Sequence, residues 1–314
     1  MYSLRFCASG RVLTGMQFHA ASIGQAIPRP SFDAVIQSVF DSAVNLRLAH
    51  EDRLITVLLS DHYELPQGIR IATKDVPLHS LTVGQRAASR GEILRFDSSP
   101  LTIDLRGAPV WTCHVRELNT DMSARSAQEG WSTAWTLLNR RQRLHSTDIV
   151  AAHLLQKHIG SVLNRRMSGP VMQLIAATEQ LDVEVSLQAA QQMIGLGPGV
   201  TPAGDDILIG FLAALWSLAG RHGPQLSFIH SFGSTLIQIA AQTNEISRTY
   251  LYHATQGQFS SSLSNLAEAM ARGGAVEQPA QIAMRVGHSS GMDSVTGLLV
   301  GLRVWNTLAP AAQG

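Results

Sequence analysis

Gly195-Leu-Gly-Pro-Gly-Val-Thr-Pro-Ala-Gly-Asp-Asp206 runs straight into Ile207–Ala219, a segment that is apolar on every side. An all-apolar helix is a buried one, so the stretch predicts a Gly-rich turn opening a helix inside the protein. The first N–H groups of such a helix have no intrahelical partner, and together with the helix dipole they attract an anion. Glycine lets the backbone take positive φ and approach a ligand closely. So many glycines, two prolines and two adjacent carboxylates exceed what a plain helix cap requires.

The chain continues in the same character on both sides of that turn. From Trp131 onward nearly every segment reads helical. Ile149–Arg166 carries apolar residues at helical spacing, and Ser168-Gly-Pro170 is read as its end. Val171–Glu179, Val183–Ile194, Asp205–Ala219, Leu226–Ala241, Ile246–Gly257, Ser261–Arg272, Pro279–Val286 and Asp293–Trp305 follow. Their short connections predict antiparallel neighbours. Trp111, Trp131 and Trp135 are expected as core or interface anchors.

The first third differs. Arg53–Ser60 is a short run of β-formers, and Leu101–Leu105 alternates apolar and polar residues. Ile69–Ala72 and Ile93–Phe96 are further strands. Turn chemistry at Pro66-Gln-Gly68, Val83-Gly84 and Ser98-Ser-Pro100 separates them. No strand–helix unit repeats, which argues against a Rossmann domain. The fold class is α+β: an antiparallel β-rich domain over residues 1–120, as a small barrel or sheet, then a mainly α-helical domain over 121–314. The polar segment Asn119–Ala127 reads as the linker or a mobile loop.

Composition narrows the function. Of 314 residues, 45% are hydrophobic and 15% charged, which excludes a disordered chain. A formal net charge of +1 gives no electrostatic case for nucleic acid or an anionic membrane. Two cysteines, Cys7 and Cys113, build neither a disulfide framework nor a Cys-rich zinc site. Arg5 and Arg11 interrupt the N-terminus, so a signal peptide is not expected. The longest apolar run, Ile207–Ala219, falls short of the roughly 20 residues that span a bilayer. A soluble cytoplasmic protein is expected.

Two further helix starts share the style of the first. Gly287-His-Ser-Ser-Gly-Met-Asp293 places glycines, hydroxyls and an aspartate before an apolar helix, on which Gly297 and Gly301 lie four apart and permit close packing. Thr243-Asn-Glu-Ile-Ser-Arg-Thr249 offers Asn244 and Ser247 as caps. There Ser247, Arg248 and Thr249 suit a phosphate or carboxylate, since a guanidinium grips two oxygens. In the first start, Asp205 or Asp206 is read as the cap, which leaves the second carboxylate for a polar substrate or Mg²⁺. In the second, Ser290 or Asp293 is read as the cap. Twelve histidines form no zinc-spaced cluster; His153 and His158 face different sides of a helix, and His288 is the candidate for acid–base work. The Gly-rich segment lacks the lysine of a P-loop.

Gly197-x-Gly-x-Thr-Pro-Ala-Gly-Asp-Asp206, Gly287-x-Ser-Ser-Gly-x-Asp293, the Ser247 segment and Ser38–Leu46 together resemble the AllH-type subunit family, and the likeness covers most of the chain. Val200 and Ala203 stand where leucine and serine are usual; neither change removes a glycine or a carboxylate. That family is associated with oxamate carbamoyltransferase in allantoin (purine) breakdown. The resemblance implies a subunit of a multi-protein enzyme that interconverts oxamate plus carbamoyl phosphate with oxalurate plus phosphate, its partners being other subunits and these small anions. On this reading the three helix starts converge, and backbone N–H groups stabilise the tetrahedral oxyanion. Gly197, Gly199, Thr201 and Gly204 cradle an anion, and Asp205 or Asp206 holds an amide N–H or a metal. Asn244, Ser247 and Arg248 add polar contacts. Ser289, Ser290, Gly291 and Asp293 close the other side, with His288 or a carboxylate as base. The reading names no definite cofactor; Mg²⁺ is compatible with the carboxylates. The rivals are a Mg²⁺-dependent hydrolase on a helical core, with Asp205, Asp206 and Asp293 around the metal, and a non-catalytic assembly subunit.

Overall fold

The computed structural model describes residues 4–5, 13–14, 16–156, 159–220 and 223–305. Cys7, Arg11 and His158 lie outside them. The chain divides into two compact units, Met1–Thr112 and Cys113–Gly314.

The first unit is a β-barrel. After a two-residue ribbon, β1 (Leu4–Arg5) with β2 (Leu13–Thr14), come β3 (Met16–Gly24), β4 (Phe32–Val39), β5 (Ala43–Leu48), β6 (Leu54–Leu58) and β7 (Gly68–Ile71). They are followed by β8 (Arg86–Arg90), β9 (Ile93–Phe96), β10 (Leu101–Asp104) and β11 (Val110–Trp111). Side chains alternate across a strand, and β4 begins buried–exposed–buried–exposed–buried accordingly. The order is β10-β9-β8-β4-β5-β6-β7-β3, and β3 pairs back onto β10 through Met16–His19. Eight strands thus close with no free edge, and closure fills the interior with side chains such as Ile36, Leu46, Val57, Ile71 and Leu94. Register shifts at Ala20/Ser22 and Ile36/Ser38 supply the local bends.

The antiparallel expectation is corrected in part. The β6–β7, β3–β10 and β3–β11 pairs are parallel. The Pro66-Gln-Gly68 turn is present, with the Gly68 N–H on Leu65 O at 3.0 Å. It lies at the start of β7, after residues 59–67 have already carried the chain back, so it opens a parallel return rather than closing a hairpin.

The second unit is helical: α1 (Arg125–Leu144), α2 (Ala151–Leu154), α3 (Val162–Glu179), α4 (Val183–Met193), α5 (Ala203–Leu218), α6 (Pro224–Ile239), α7 (Glu245–Thr255), α8 (Ser261–Ala271), α9 (Glu277–Ala283) and α10 (Ser290–Gly301). Fourteen of the sixteen residues of α5 are buried, so it is the central helix, as its all-round apolarity requires. Its main partner is α10, and the two backbones touch through glycines. A Cβ on Gly210 would lie 1.8 Å from Ser294 O, and one on Gly297 1.9 Å from Ile207 O. Trp131 anchors α1 by donating its indole N–H to Leu299 O on α10 at 2.8 Å, and it stacks on Trp135.

Two sequence expectations give way here. The helix read over Ile149–Arg166 is two helices. Ser161 caps α3 through the Asn164 N–H, and α3 then runs through Pro170. Proline is tolerated because Gly169 has no Cβ to clash with the ring, and because Arg166, whose carbonyl loses its bond, is exposed. The polar stretch read as a linker is partly helical, since α1 already begins at Arg125. None of the described helices is long and apolar enough to cross a membrane.

The glycine contact has a measurable cost when blocked. Gly297→Ala drives a methyl into the Ile207 carbonyl and is expected to lose about 3 kcal/mol or more. Gly274→Ala, whose added Cβ meets only Ala269 O at 3.7 Å, is expected to gain about 0.5 kcal/mol. Urea unfolding of both variants checks the contrast, and equal stability of the two would remove the α5–α10 contact as the constraint.

Candidate functional site

The loop ahead of α5 folds back on the end of α4. Leu196 N donates to Met193 O, and Gly204 N donates to Leu196 O, both at 2.9 Å. Gly197 holds φ +124, and a Cβ there would sit 2.8 Å from the Ala203 nitrogen. A Cβ on Gly204 would lie 1.9 Å from Met193 O, so Gly204 is tightly packed and its N–H is committed within the protein. Among the described residues no acceptor takes the N–H of Gly197, Gly199, Val200, Thr201 or Ala203. These groups surround the start of a helix whose dipole favours negative charge.

Neither aspartate caps α5. Pro202 occupies the cap position and offers no side-chain bond, while Asp205 and Asp206 lie within the first turn. Successive helical residues point about 100° apart, so the adjacent carboxylates face different neighbours. Asp205 is fully buried; its Oδ1 accepts from Gly195 N at 2.8 Å and its Oδ2 from the Thr243 hydroxyl at 2.6 Å. Burial raises its pKa, against the pull of these donors. Asp205 therefore ties the Gly-rich loop to the segment that leads into α7.

Asn244 caps α7, its Oδ1 accepting from Ile246 N and Ser247 N. Its Nδ2 donates to Val200 O at 2.8 Å, a second tie between that cap and the loop. Ser247 is buried with its hydroxyl outside any well-formed hydrogen bond, and Arg248 is half-buried on the same helix. At the start of α10 neither Ser290 nor Asp293 caps; Ser289 holds that position without a side-chain bond. Gly291 packs where a Cβ would lie 2.1 Å from Ala283 O. The Ser290 hydroxyl meets that of Thr201 at 2.6 Å, joining the starts of α10 and α5. His288 is exposed in the turn before α10.

The glycine contact between α5 and α10 brings Asp206 and Asp293 together, 4% and 2% exposed. Asp206 Oδ2 and Asp293 Oδ1 are buried and have no hydrogen-bond partner among the described residues. Burial, and then the charge of Asp293, push the Asp206 carboxyl well above the usual range; the Thr201 and Ser290 hydroxyls act the other way. Asp293 is pushed up to about 7, mainly by burial and further by Asp148, against the Ser289 hydroxyl. A buried carboxyl kept neutral serves as a hydrogen-bond donor, and one that titrates near 7 exchanges a proton under neutral conditions.

Asp148 is absent from the sequence reading, and it is exposed between α1 and α2. Gln142 is also absent from it. Buried on α1, this residue donates to the Thr296 hydroxyl on α10 at 3.0 Å and accepts from Ala151 N at 2.8 Å, which holds the Asp148 loop beside the helix carrying Asp293. Nothing in the local sequence marks either residue, because both reach the site by tertiary packing alone. Among the described residues no group of three or more His, Cys, Asp or Glu side chains is placed to hold a metal ion. Asp205 is turned to Gly195 and Thr243, so among the described residues Asp205, Asp206 and Asp293 do not gather around one point.

No solved structure matches the chain. The family described as the AllH family N-terminal domain matches residues 13–110, which hold the barrel. The family described as oxamate carbamoyltransferase subunit AllH matches residues 193–302, which run from the end of α4 through α10 and hold all three helix starts. Barrel and site-bearing helices are thus matched in sequence order, and the chain belongs to the AllH family of oxamate carbamoyltransferase subunits.

Proposed function

We propose that this chain carries the small-anion site of an oxamate carbamoyltransferase and acts there together with partner subunits. Its substrates are carbamoyl phosphate and oxamate, or oxalurate and phosphate in the catabolic direction that would serve allantoin breakdown. One observation carries the reading: two buried carboxyl groups, each with an unpartnered oxygen, lie where three helix starts meet.

Transfer of the carbamoyl group forms a C–N bond to oxamate and breaks the C–O bond to phosphate. The attacking nitrogen sheds a proton and charge gathers on a tetrahedral oxygen. Loop N–H groups from Gly197 to Ala203 suit the phosphate and carboxylate oxygens. Asp293, with a pKa of about 7, suits the proton: it takes it in the forward direction and returns it to the departing oxamate nitrogen in the reverse. Burial and the charge of Asp293 raise the Asp206 carboxyl well above its ordinary range, which favours a proton on Asp206 and keeps the pair from carrying two charges.

Asp293→Asn tests this reading twice. In the assembled enzyme it is expected to lower kcat by about 100-fold or more with an unchanged circular dichroism spectrum. Unchanged turnover would leave the chain an assembly subunit. In stability the same variant moves oppositely. Between pH 4 and 7 the folded chain keeps a proton that the unfolded chain, titrating at 3.8, has lost. Stability therefore falls as pH rises through that window and levels above it, by up to about 4 kcal/mol for this group. Thermal melts are expected to show Asp293→Asn above the parent at pH 8 and converging with it near pH 4. Parallel curves would show that Asp293 titrates as an ordinary carboxylate.

A further inference from the structure

Asp206 Oδ2 and Asp293 Oδ1 are buried carboxyl oxygens of the site with no hydrogen-bond partner among the described residues. Leaving such atoms unpaired is costly, and they belong to residues that are 4% and 2% exposed. The charged groups acting on Asp206 are Asp293 and Asp205, and the one acting on Asp293 is Asp148 between α1 and α2, all acidic. A second anion is thus the wrong guest for this corner, and among the described residues no third His, Cys, Asp or Glu side chain joins the pair. Two buried carboxyls brought together favour holding one proton between them; they then present a donor beside an acceptor, a pattern complementary to the C=O and N–H edge of a primary amide or ureido group.

We propose that Asp206 and Asp293 form the amide-reading edge of the site, with Asp206 donating to the carbonyl oxygen and Asp293 accepting from the N–H of a carbamoyl or ureido group. The inference rests on the small-anion reading above and divides the substrate between two surfaces. The anionic end of the ligand faces the loop N–H groups of Gly197–Ala203, and its neutral amide end faces the acid pair. The hydroxyls of Thr201 and Ser290 bond to each other and bear on Asp206, so ligand entry parts that contact. Asp205 takes no share in recognition, because both its oxygens are already engaged.

Oxamate and oxalate separate the two surfaces, since they differ only in an amide against a second carboxylate. Titration calorimetry on the full-length chain in its assembly, at pH 7 in buffers of different ionisation enthalpy, is expected to give oxamate at least 10-fold tighter than oxalate. Asp293, at about 7, is about half protonated at this pH, so oxalate binding is expected to take up about half a proton and oxamate binding to release about half a proton. Asp293→Asn replaces the acceptor with an amide that also donates, so the oxamate preference is expected to collapse or invert while Asp206→Asn, which retains a donor, keeps it. Oxalate and phosphate binding as tightly as oxamate, or a preference untouched by Asp293→Asn, would overturn the amide-reading edge and leave the anion site standing. Failure of oxamate, oxalate and phosphate alike to bind would overturn the anion site, and the edge with it.

Discussion

The contact of α5 with α10 is the constraint on which the helical unit depends. Two helices ordinarily pack 8–10 Å apart, separated by side chains. Here Gly210, Gly297 and Gly301 remove those side chains at the crossing, and carbonyls of one helix approach α-carbons of the other. Both helices begin with acidic residues in the first turn. Close approach of the backbones therefore forces Asp206 and Asp293 into one another's field. A looser pair of helices would let water between the carboxyls and return both to ordinary titration.

Around that pair the protein distributes polar groups unevenly. Asp205 has both oxygens bonded and serves as a strut between the Gly-rich loop and the α7 start. Asn244 repeats the tie one residue on, capping its own helix with one end and holding Val200 O with the other. The neighbours Asp206 and Asp293 are left short of partners by comparison. Buried polar groups in folded proteins are nearly always paired, and the exceptions concentrate where something else is to be bound or moved.

Much of this was legible in residue order. Alternation and β-formers marked Ile93–Phe96 and Leu101–Leu105, and the apolar run after Asp206 marked the central helix. Glycines four apart on α10 marked its packing face. What residue order withheld was direction and partnership. The turn at Pro66-Gln-Gly68 announces a bend without saying whether the returning strand is parallel. Ser168-Gly-Pro170 has the composition of a helix end, yet the glycine is what allows the helix to continue. Asp205-Asp206 reads as one acidic pair, yet a turn of about 100° between neighbours gives the two residues separate duties. Gln142 and Asp148 carry no local signal, because their relation to Asp293 exists only once α1 and α10 are packed.

Closure of the barrel bears on how its unit assembles. β3 near the N-terminal end is laid beside β10, pairing Met16 with Leu101 and His19 with Asp104. Ring completion waits for the last of those residues to leave the ribosome and for a loop of that length to find its ends. Until then β3 and β10 each expose an unpaired row of backbone groups, the edge through which nascent chains snare one another. Such long-range pairing slows folding, so the interval before closure is when this unit is most in need of a chaperone.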